Sequence, residues 1–335
     1  MEVIRGTFHA SFPMGDPSRV GEARRHAAVL AAECAFDRVE AGRLALVVTE
    51  LATNLVRHAR EGRLWISARP ARREVEVIAI DHGPGIHDVD RSLGDGFSTG
   101  GTPGTGLGAV RRLAQAFDVH SAPEGTIVLA RVRAGAGGPR GTAADLGAIS
   151  LAAPGEVVCG DGWGFAQQGD VAALMVADGL GHGPDAAEAA SVALEAFAED
   201  PLAAPRSLLE RTHLALRRTR GAAVMVLHAD AAAGTVRSSG AGNVLARLVS
   251  GVSDRTVLTQ HGTAGVTMRT PEETTTPWPP HALLVVCSDG VETRWKADRL
   301  MPLLGRDPAL AAALLARDHC RGRDDATVAV LRRKD

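Results

Sequence analysis

Three runs in the first half of the chain decide its reading: ELATN at Glu50–Asn54, DHGPGI at Asp81–Ile86 and GTGLG at Gly104–Gly108. Glu50 and Asn54 stand four residues apart, so on a helix both side chains project from one face. One is a potential base, the other a neutral ligand for metal or phosphate. Asp81 ends the apolar stretch EVEVIAI, and Gly83 and Gly85 permit a tight turn and close approach of backbone to a ligand. A carboxylate at such a strand end can accept a hydrogen bond from an exocyclic amine. GTGLG precedes a helical pattern, and the free N–H groups and dipole of a helix start favour phosphate.

Around these runs, Leu44, Val48, Leu51 and Leu55 recur at three- and four-residue spacing and predict an amphipathic helix from about Ala41 to about Arg60. Leu64–Ala68 and Glu74–Ile80 read as neighbouring strands, Leu107–Phe117 as a second helix and Gly125–Arg133 as a closing strand. The Gly/Ala-rich segment at Ala134–Ala144 has no apolar periodicity and reads as a linker. The expected division is a domain at 1–133, a linker at 134–146 and a domain at 147–335.

After the linker, residues 156–179 predict two strands joined by a turn at Gln167–Asp170. Ala-rich helices follow at Pro184–Glu199 and Pro205–Arg218, then strands at 222–229, 234–240, 243–249 and 281–287. A helix at Pro308–Arg317 and a strand at Ala326–Arg332 close the chain. Many strands with a helical pair suggest two sheets covered by helices. Asp161, Asp178, Asp289 and Asp324 fall at or beside strand ends. Asp178 and Asp289 each end a strongly apolar strand, where a carboxylate without a partner is costly to bury. Carboxylates suit Mg²⁺ and Mn²⁺ better than zinc. Two such ions about 3.5–4 Å apart can bind a phosphate and activate water for in-line attack.

Composition bounds these readings. The 335 residues carry 37 basic and 39 acidic side chains, a balance that gives no footprint for nucleic acid or a membrane surface. Cys34, Cys159, Cys287 and Cys320 lack the spacing of a zinc site or the density of a disulfide scaffold. No apolar run approaches the roughly 18 residues that span a bilayer, and the expected location is the cytoplasm. The only lysines are Lys296 and Lys334, which excludes a P-loop or a eukaryotic-type kinase in the first half.

With these residues in order, the first half resembles the GHKL ATP-binding fold. ELATN looks like its N box, DHGPG like the first glycine box and GTGLG like the second. The span DGFSTGGTPGTGLGAVRRLAQAFDVHS from Asp95 is similar more narrowly to the RsbT group of switch kinases. The resemblance covers roughly Leu44 to Val132. It implies an α/β sandwich with a mixed sheet and helices on one face, binding ATP with Mg²⁺. It also implies that Glu50 is the base near the attacking hydroxyl, Asn54 binds Mg²⁺ and Asp81 reads adenine. Gly83, Gly85, Gly104, Thr105, Gly106, Leu107 and Gly108 would shape the pocket, Thr126 would support adenine through water, and a lid would run between about His87 and Pro103. Few basic side chains are evident for the phosphates. The expected substrates are STAS-domain regulatory proteins of the stressosome or anti-anti-sigma type.

The second half, from about Ala148 to Arg332, resembles the PPM-type metal-dependent serine/threonine phosphatases through Asp178-Gly179, CSDG and RDDATV. Gly160-Asp161 and DGLGHG bring it closer to the SpoIIE branch and to RsbX within it. The resemblance implies a β-sandwich flanked by helices and two Mn²⁺ or Mg²⁺ ions. Asp178, Asp289 and Asp324 would bind them, with the Gly179 carbonyl and Asp161 as further ligands; Asp325 is the alternative to Asp324. His182 is a candidate general acid, against a reading as a loop histidine beside a glycine turn. No phosphate-binding arginine is evident upstream of the first metal aspartate.

The expectation is a bifunctional partner-switching regulator, kinase and phosphatase in one chain. The alternative is a phosphatase whose N-terminal domain senses ATP or holds a partner without transferring phosphate. Oligomeric state is not legible.

Overall fold

The computed structural model describes residues 1–94, 106–135 and 144–334. Contacts divide the chain into two units, His9–Gly137 and Met1–Phe8 together with Gly138–Asp335. The chain thus opens with a strand of the second unit, β1 (Glu2–Arg5).

The His9–Gly137 unit runs β2 (Ala10–Pro13), α1 (Ser18–Glu33), α2 (Arg38–His58), β3 (Arg63–Arg69), β4 (Glu74–Ile80), α3 (Val89–Ser92), α4 (Gly106–Leu113), β5 (Ala116–Ala122) and β6 (Gly125–Arg133). The strands form one sheet in the order β2-β3-β4-β6-β5. Every pairing is antiparallel, which corrects the expected mixed sheet. Short reversals join β3 to β4 and β5 to β6, and such connections can only build antiparallel pairs.

α2 begins three residues before the expected start because Asp37 and Glu40 form a capping box. Glu40 N–H donates to Asp37 Oδ1 at 2.7 Å, and Asp37 N–H donates to Glu40 Oε2 at 2.8 Å. Leu44, Val47, Val48, Leu51 and Leu55 bury one stripe in a core shared with Ile66, Ala79 and Val128 of the sheet. Each leucine so buried contributes about 1.5–3 kcal/mol. α4 stops short of Phe117 because Ala116 and Phe117 pair with Arg131 and Ala130 of β6. Charged side chains of β3, β4 and β6 meet within this sheet. Arg131 Nε lies 2.6 Å from Glu76 Oε2, Arg69 Nη2 3.1 Å from the same oxygen and His9 Nε2 3.3 Å from Glu76 Oε1.

The second unit adds β7 (Ala144–Leu151), β8 (Asp161–Gln168), β9 (Val171–Gly179), α5 (Pro184–Glu199), α6 (Pro205–Leu216), β10 (Ala222–Asp230), β11 (Thr235–Ala241), β12 (Leu245–Val249), β13 (Asp254–Val257), β14 (Gly262–Thr263), β15 (Thr267–Met268), β16 (Thr274–Pro277), β17 (Leu283–Cys287), α7 (Pro308–His319) and β18 (Ala326–Arg333). Two antiparallel sheets, β1-β8-β9-β10-β11-β16 and β13-β12-β17-β18-β7, share one apolar core. Phe165, Val176 and Met225 enter it from the first sheet, and Leu248, Leu284 and Leu331 from the second. α5 and α6 cover the outer face of the first sheet, where Phe197, Leu208 and Leu209 join Met175 and Val224. α7 lies along β7 and β18.

Two expected boundaries move. Ala144–Leu146 is the start of β7, paired with Arg333–Leu331, where a linker is expected; its alternation is masked in sequence by small residues. β1 pairs with β8 from Glu2↔Gln167 to Arg5↔Gly164, so the first eight residues leave the expected 1–133 domain. Ile4 is fully buried, and Gly6 lies where a Cβ would stand 1.9 Å from the Trp163 ring. Among the described residues, no helix is long and apolar enough to cross a membrane.

Candidate functional site

In the His9–Gly137 unit a cavity of about 750 Å³ opens between α2 and the ends of β4 and β6. It brings together Glu50, Asn54, Asp81, Gly83, Gly85, Gly106, Leu107 and Thr126. Gly108 is buried within α4 away from this lining, and Gly104 and Thr105 lie outside the described residues. Glu50 and Asn54 project from one face of α2, and a Cβ on Gly106 would stand 3.3 Å from both Asn54 Nδ2 and Glu50 Oε2. The start of α4 is therefore held directly against the ELATN run. Asp81 accepts from Gly83 N–H at 2.6 Å and from Thr126 N–H at 3.3 Å through Oδ1, which fixes the carboxylate at the cavity wall. Gly85 has φ +79° and approaches Ala122 O closely enough that a Cβ would stand 2.4 Å away, so only glycine fits this turn. Ser121 Oγ meets Thr126 Oγ1 at 3.2 Å and accepts from Ile86 N–H at 2.7 Å, tying the strand to the turn. The lining also holds Arg57, His58, His87 and Arg91, so the cavity has more basic groups than the motifs suggest.

In the second unit four strand ends converge at one end of the sandwich. Asp161 opens β8 directly opposite Asp178 near the end of β9. Asp289 follows β17, and Asp324 and Asp325 immediately precede its neighbour β18. Ser288 Oγ donates to Asp161 Oδ2 at 2.6 Å and accepts from Thr327 N–H at 2.8 Å, while Asp289 N–H reaches Asp178 Oδ2 at 3.5 Å. These bonds tie the two sheets together at the cluster. Asn243 Nδ2 donates to Asp289 Oδ2 at 2.5 Å. Asp325 is buried and accepts from Ala153 N–H at 2.9 Å, whereas Asp324 is less buried and accepts from Asp325 N–H at 2.9 Å.

Burial raises the carboxyls of Asp161, Asp178, Asp289 and Asp325 above the usual range. Their neighbours add to it: Asp325 and Asp289 act on Asp161, and Asp161 and Asp289 on Asp178. Arg321 and the Asn243 amide partly offset the effect at Asp289. Asp161 Oδ1 is buried with no hydrogen-bond partner. Among the described residues, no three His, Cys, Asp or Glu side chains already form a closed cage. An excess of hard oxygen donors with an orphaned carboxylate oxygen nevertheless suits divalent cations that keep much of their water. The residues present fit Mg²⁺ or Mn²⁺.

His182 follows β9 in the loop before α5, with Nδ1 2.8 Å from Glu156 Oε1, and its ring is largely exposed. Gly181 and Gly183 take φ of +83° and +80° and turn the loop over the end of β9. Beside it, Arg220 pairs with Asp185 at 2.6 Å. Glu156, Asn243 and Ser288 are contributors the motif reading misses. Ser288 sits inside the quoted CSDG run, but Asn243 reaches Asp289, and Glu156 reaches His182, only through the fold.

Residues 14–132 match the family described as Histidine kinase-like ATPase domain, and residues 168–334 match Stage II sporulation protein E. Over 104 residues the chain is 38% identical to the serine/threonine-protein kinase RsbT of Bacillus subtilis (strain 168), a stretch covering 30% of this chain and 78% of that protein. The chain belongs to the RsbT family. To this RsbT-like domain is fused a SpoIIE-type domain. A structure reported under "The bacterial stressosome: a modular system that has been adapted to control secondary messenger signaling" is 26% identical with a TM-score of 0.54, covering 56% of this chain and 99% of that one. RsbX in complex with magnesium aligns with a TM-score of 0.52 at 19% identity, over 57% of this chain and 96% of that one, a likeness of fold.

Proposed function

We propose that the chain is a two-activity regulator of partner switching, phosphorylating serine or threonine of STAS-type proteins with its RsbT-like domain and removing such phosphates with its SpoIIE-type domain. The observation that carries the phosphatase half is the convergence of Asp161, Asp178, Asp289 and Asp324 from two sheets onto one end of the sandwich. Asp178, Asp289 and Asp324 with the Gly179 carbonyl would hold two Mn²⁺ or Mg²⁺, and Asp161 would stand behind them as a further ligand. Asp324 is preferred to Asp325 because it is the less buried of the two and follows Arg323 directly; Asp325 holds the Ala153 N–H through Oδ1, and its buried Oδ2 keeps it as the alternative. When bound, the ions supply Lewis-acid activation of phosphate and water. The protein's own part is to set these carboxylates with Ser288 and Asn243 and to turn the glycine-rich loop over them. Glu156 holds the His182 ring through Nδ1, which leaves Nε2 to pass a proton to the departing serine oxygen.

In the RsbT-like domain, ATP with Mg²⁺ would lie in the cavity beneath α2, with the adenine amine on Asp81 and Asn54 toward the metal. Glu50 would take the proton of the attacking hydroxyl, while backbone N–H groups at the start of α4 and the basic lining steady the phosphates. Such partners place the protein in the cytoplasm, and the stressosome-related likeness is consistent with that setting.

One time course tests both halves. The full chain is incubated with a STAS protein, first with Mg²⁺ and ATP, then with the phosphorylated STAS protein and Mn²⁺. Transfer abolished by Glu50→Gln and hydrolysis abolished by Asp289→Asn are the expected results. ATP binding without transfer would leave the RsbT-like domain as a nucleotide sensor, and hydrolysis unaffected by Asp289→Asn would remove the metal assignment.

A further inference from the structure

A second cavity of about 470 Å³ lies on the outer face of the β13-β12-β17 sheet, lined by Arg247, Asp254, Thr256, Thr293, Arg294 and Trp295 among others. It belongs to neither of the sites above. Ala246 and Leu248 turn into the sandwich core, so Arg247 between them faces outward. Its guanidinium stacks 3.6 Å from the Trp295 ring centroid and donates to the Trp295 carbonyl at 2.9 Å. Arg247 also engages both oxygens of Asp254.

Two features of this cavity lack counterparts. The Asp254 charge is satisfied by Arg247, whereas exposed Arg294 makes no ion pair among the described residues. Trp295 is 3% exposed, yet its Nε1–H has no acceptor, an arrangement native proteins avoid unless a ligand or water completes it. With the exposed Thr256 and Thr293 as neighbours, the cavity offers donors and one uncompensated positive charge. The complement to that set is a carboxylate.

Its position says where such a carboxylate comes from. Leu245, also in the lining, pairs with Cys287, and Asn243 two residues earlier donates to Asp289. Asn243 lies in the bend just before β12, and two residues span at most about 7 Å. A chain whose phosphorylated residue sits at the carboxylate cluster therefore brings a side chain a few residues away over Arg294 and Trp295.

We propose that this cavity is a docking subsite for an acidic side chain of the phosphoprotein substrate, selecting phosphoserine or phosphothreonine sites that have Glu or Asp nearby. The inference rests on the phosphatase reading of the neighbouring cluster. Arg294 supplies the charge, Trp295 Nε1–H the buried donor, and the Arg247–Asp254 pair holds the indole in place.

The test uses the full chain with Mn²⁺ and three substrates: p-nitrophenyl phosphate, a phosphoserine peptide flanked by glutamates and its alanine counterpart. The glutamate peptide is expected to exceed the alanine one about fivefold in kcat/KM, through KM, with the advantage shrinking as salt is added. Arg294→Glu erases the advantage and Trp295→Phe, which keeps the ring and loses the donor, reduces it; p-nitrophenyl phosphate turnover stays unchanged in both. Equal use of the two peptides by the wild-type chain, or equal loss on all three substrates in Arg294→Glu, overturns the subsite. Binding of a fluorescein-labelled glutamate peptide without phosphate, read by anisotropy, separates the two readings. If it binds and weakens in Arg294→Glu while no phosphate ester is hydrolysed, the phosphatase reading fails and the subsite stands. Hydrolysis with no such binding overturns the subsite alone.

Discussion

Asp161 and Asp178 are cross-strand partners on neighbouring strands of one sheet, and Ser288 from the opposite sheet donates to the first of them at 2.6 Å. Two acids placed directly opposite each other, one buried and one half-buried, repel when ionised, and Asp289 beside them adds to the negative charge. Such an arrangement suits a divalent cation, as proposed above.

Divalent metal should therefore stabilise the SpoIIE-type domain as well as activate it. Adding Mn²⁺ to metal-free protein is expected to raise Tm, since a ligand that binds only the folded state stabilises it by mass action. Asp178→Asn should raise Tm of the metal-free form by removing one of the repelling charges, and abolish both the Mn²⁺ increment and phosphatase activity. A metal-free Tm that falls, with the Mn²⁺ increment intact, would count against the cluster as the metal site.

If Asp81 accepts the adenine amine as proposed, Asp81→Asn is expected to weaken ATP binding at least tenfold, about 1.4 kcal/mol, because the carboxylate acceptor is replaced by a neutral amide. Hydrolysis of a phosphoserine substrate should be unaffected. Equilibrium binding of a fluorescent ATP analogue checks the first outcome, and unchanged affinity would remove Asp81 from the pocket.

The Glu76 network makes the protein sensitive to acid. Burial alone would raise the Glu76 carboxyl, but the Arg69 and Arg131 guanidiniums with His9 outweigh it and hold its pKa well below the carboxylate range. The unfolded chain then binds the proton first as pH falls, so this stability is full above the unfolded value near 4.5 and drains away below it. Glu76→Gln leaves the buried Arg69 and Arg131 guanidiniums with Glu74 as their remaining counterion, at 3.4 and 4.0 Å, and should cost up to about 3 kcal/mol at neutral pH. Urea denaturation at pH 7 and pH 4 measures both effects; the variant should lose less than the parent between the two.

Removing residues 1–6 should destabilise the SpoIIE-type domain, because Ile4 is fully buried in its core and β1 covers the edge of β8. Gly6→Ala places a methyl into the Trp163 ring and should cost about 1–3 kcal/mol. Loss of phosphatase thermostability with unaltered ATP binding is the expected pattern. A truncated chain as stable as the parent would show that β1 contributes nothing.

The sequence reveals the elements whose side chains carry a clear period and hides those built from small residues. The spacing of Leu44, Val48, Leu51 and Leu55 places α2, and the apolar runs before Asp178 and Asp289 place β9 and β17. α1 escapes because alanines and arginines share it without a strong apolar stripe, its buried side being mostly Ala23, Ala27 and Ala31. β7 escapes for the same reason, with Ala144, Gly147 and Ala148 among its residues. Asp178 and Asp289 are legible because each ends an apolar run, while Asp161 and Asp324 are legible only through the short Gly-Asp and Arg-Asp-Asp runs that hold them. Asn243, Glu156 and the Trp295 cavity are not, since their partners are 46, 26 and 48 residues away in the chain.

The place of β1 has a consequence for how the molecule is made. β1 is synthesised before the RsbT-like domain but finds its partner only when Gln167 has been made, after that domain. That domain can fold in the interval, while β1 waits unpaired; closing so long a loop is slow but adds little free-energy cost once its ends are held by a folded body. It also means that no single cut separates the two domains cleanly: a SpoIIE-type domain expressed without Met1–Phe8 would lack an edge strand that it owns.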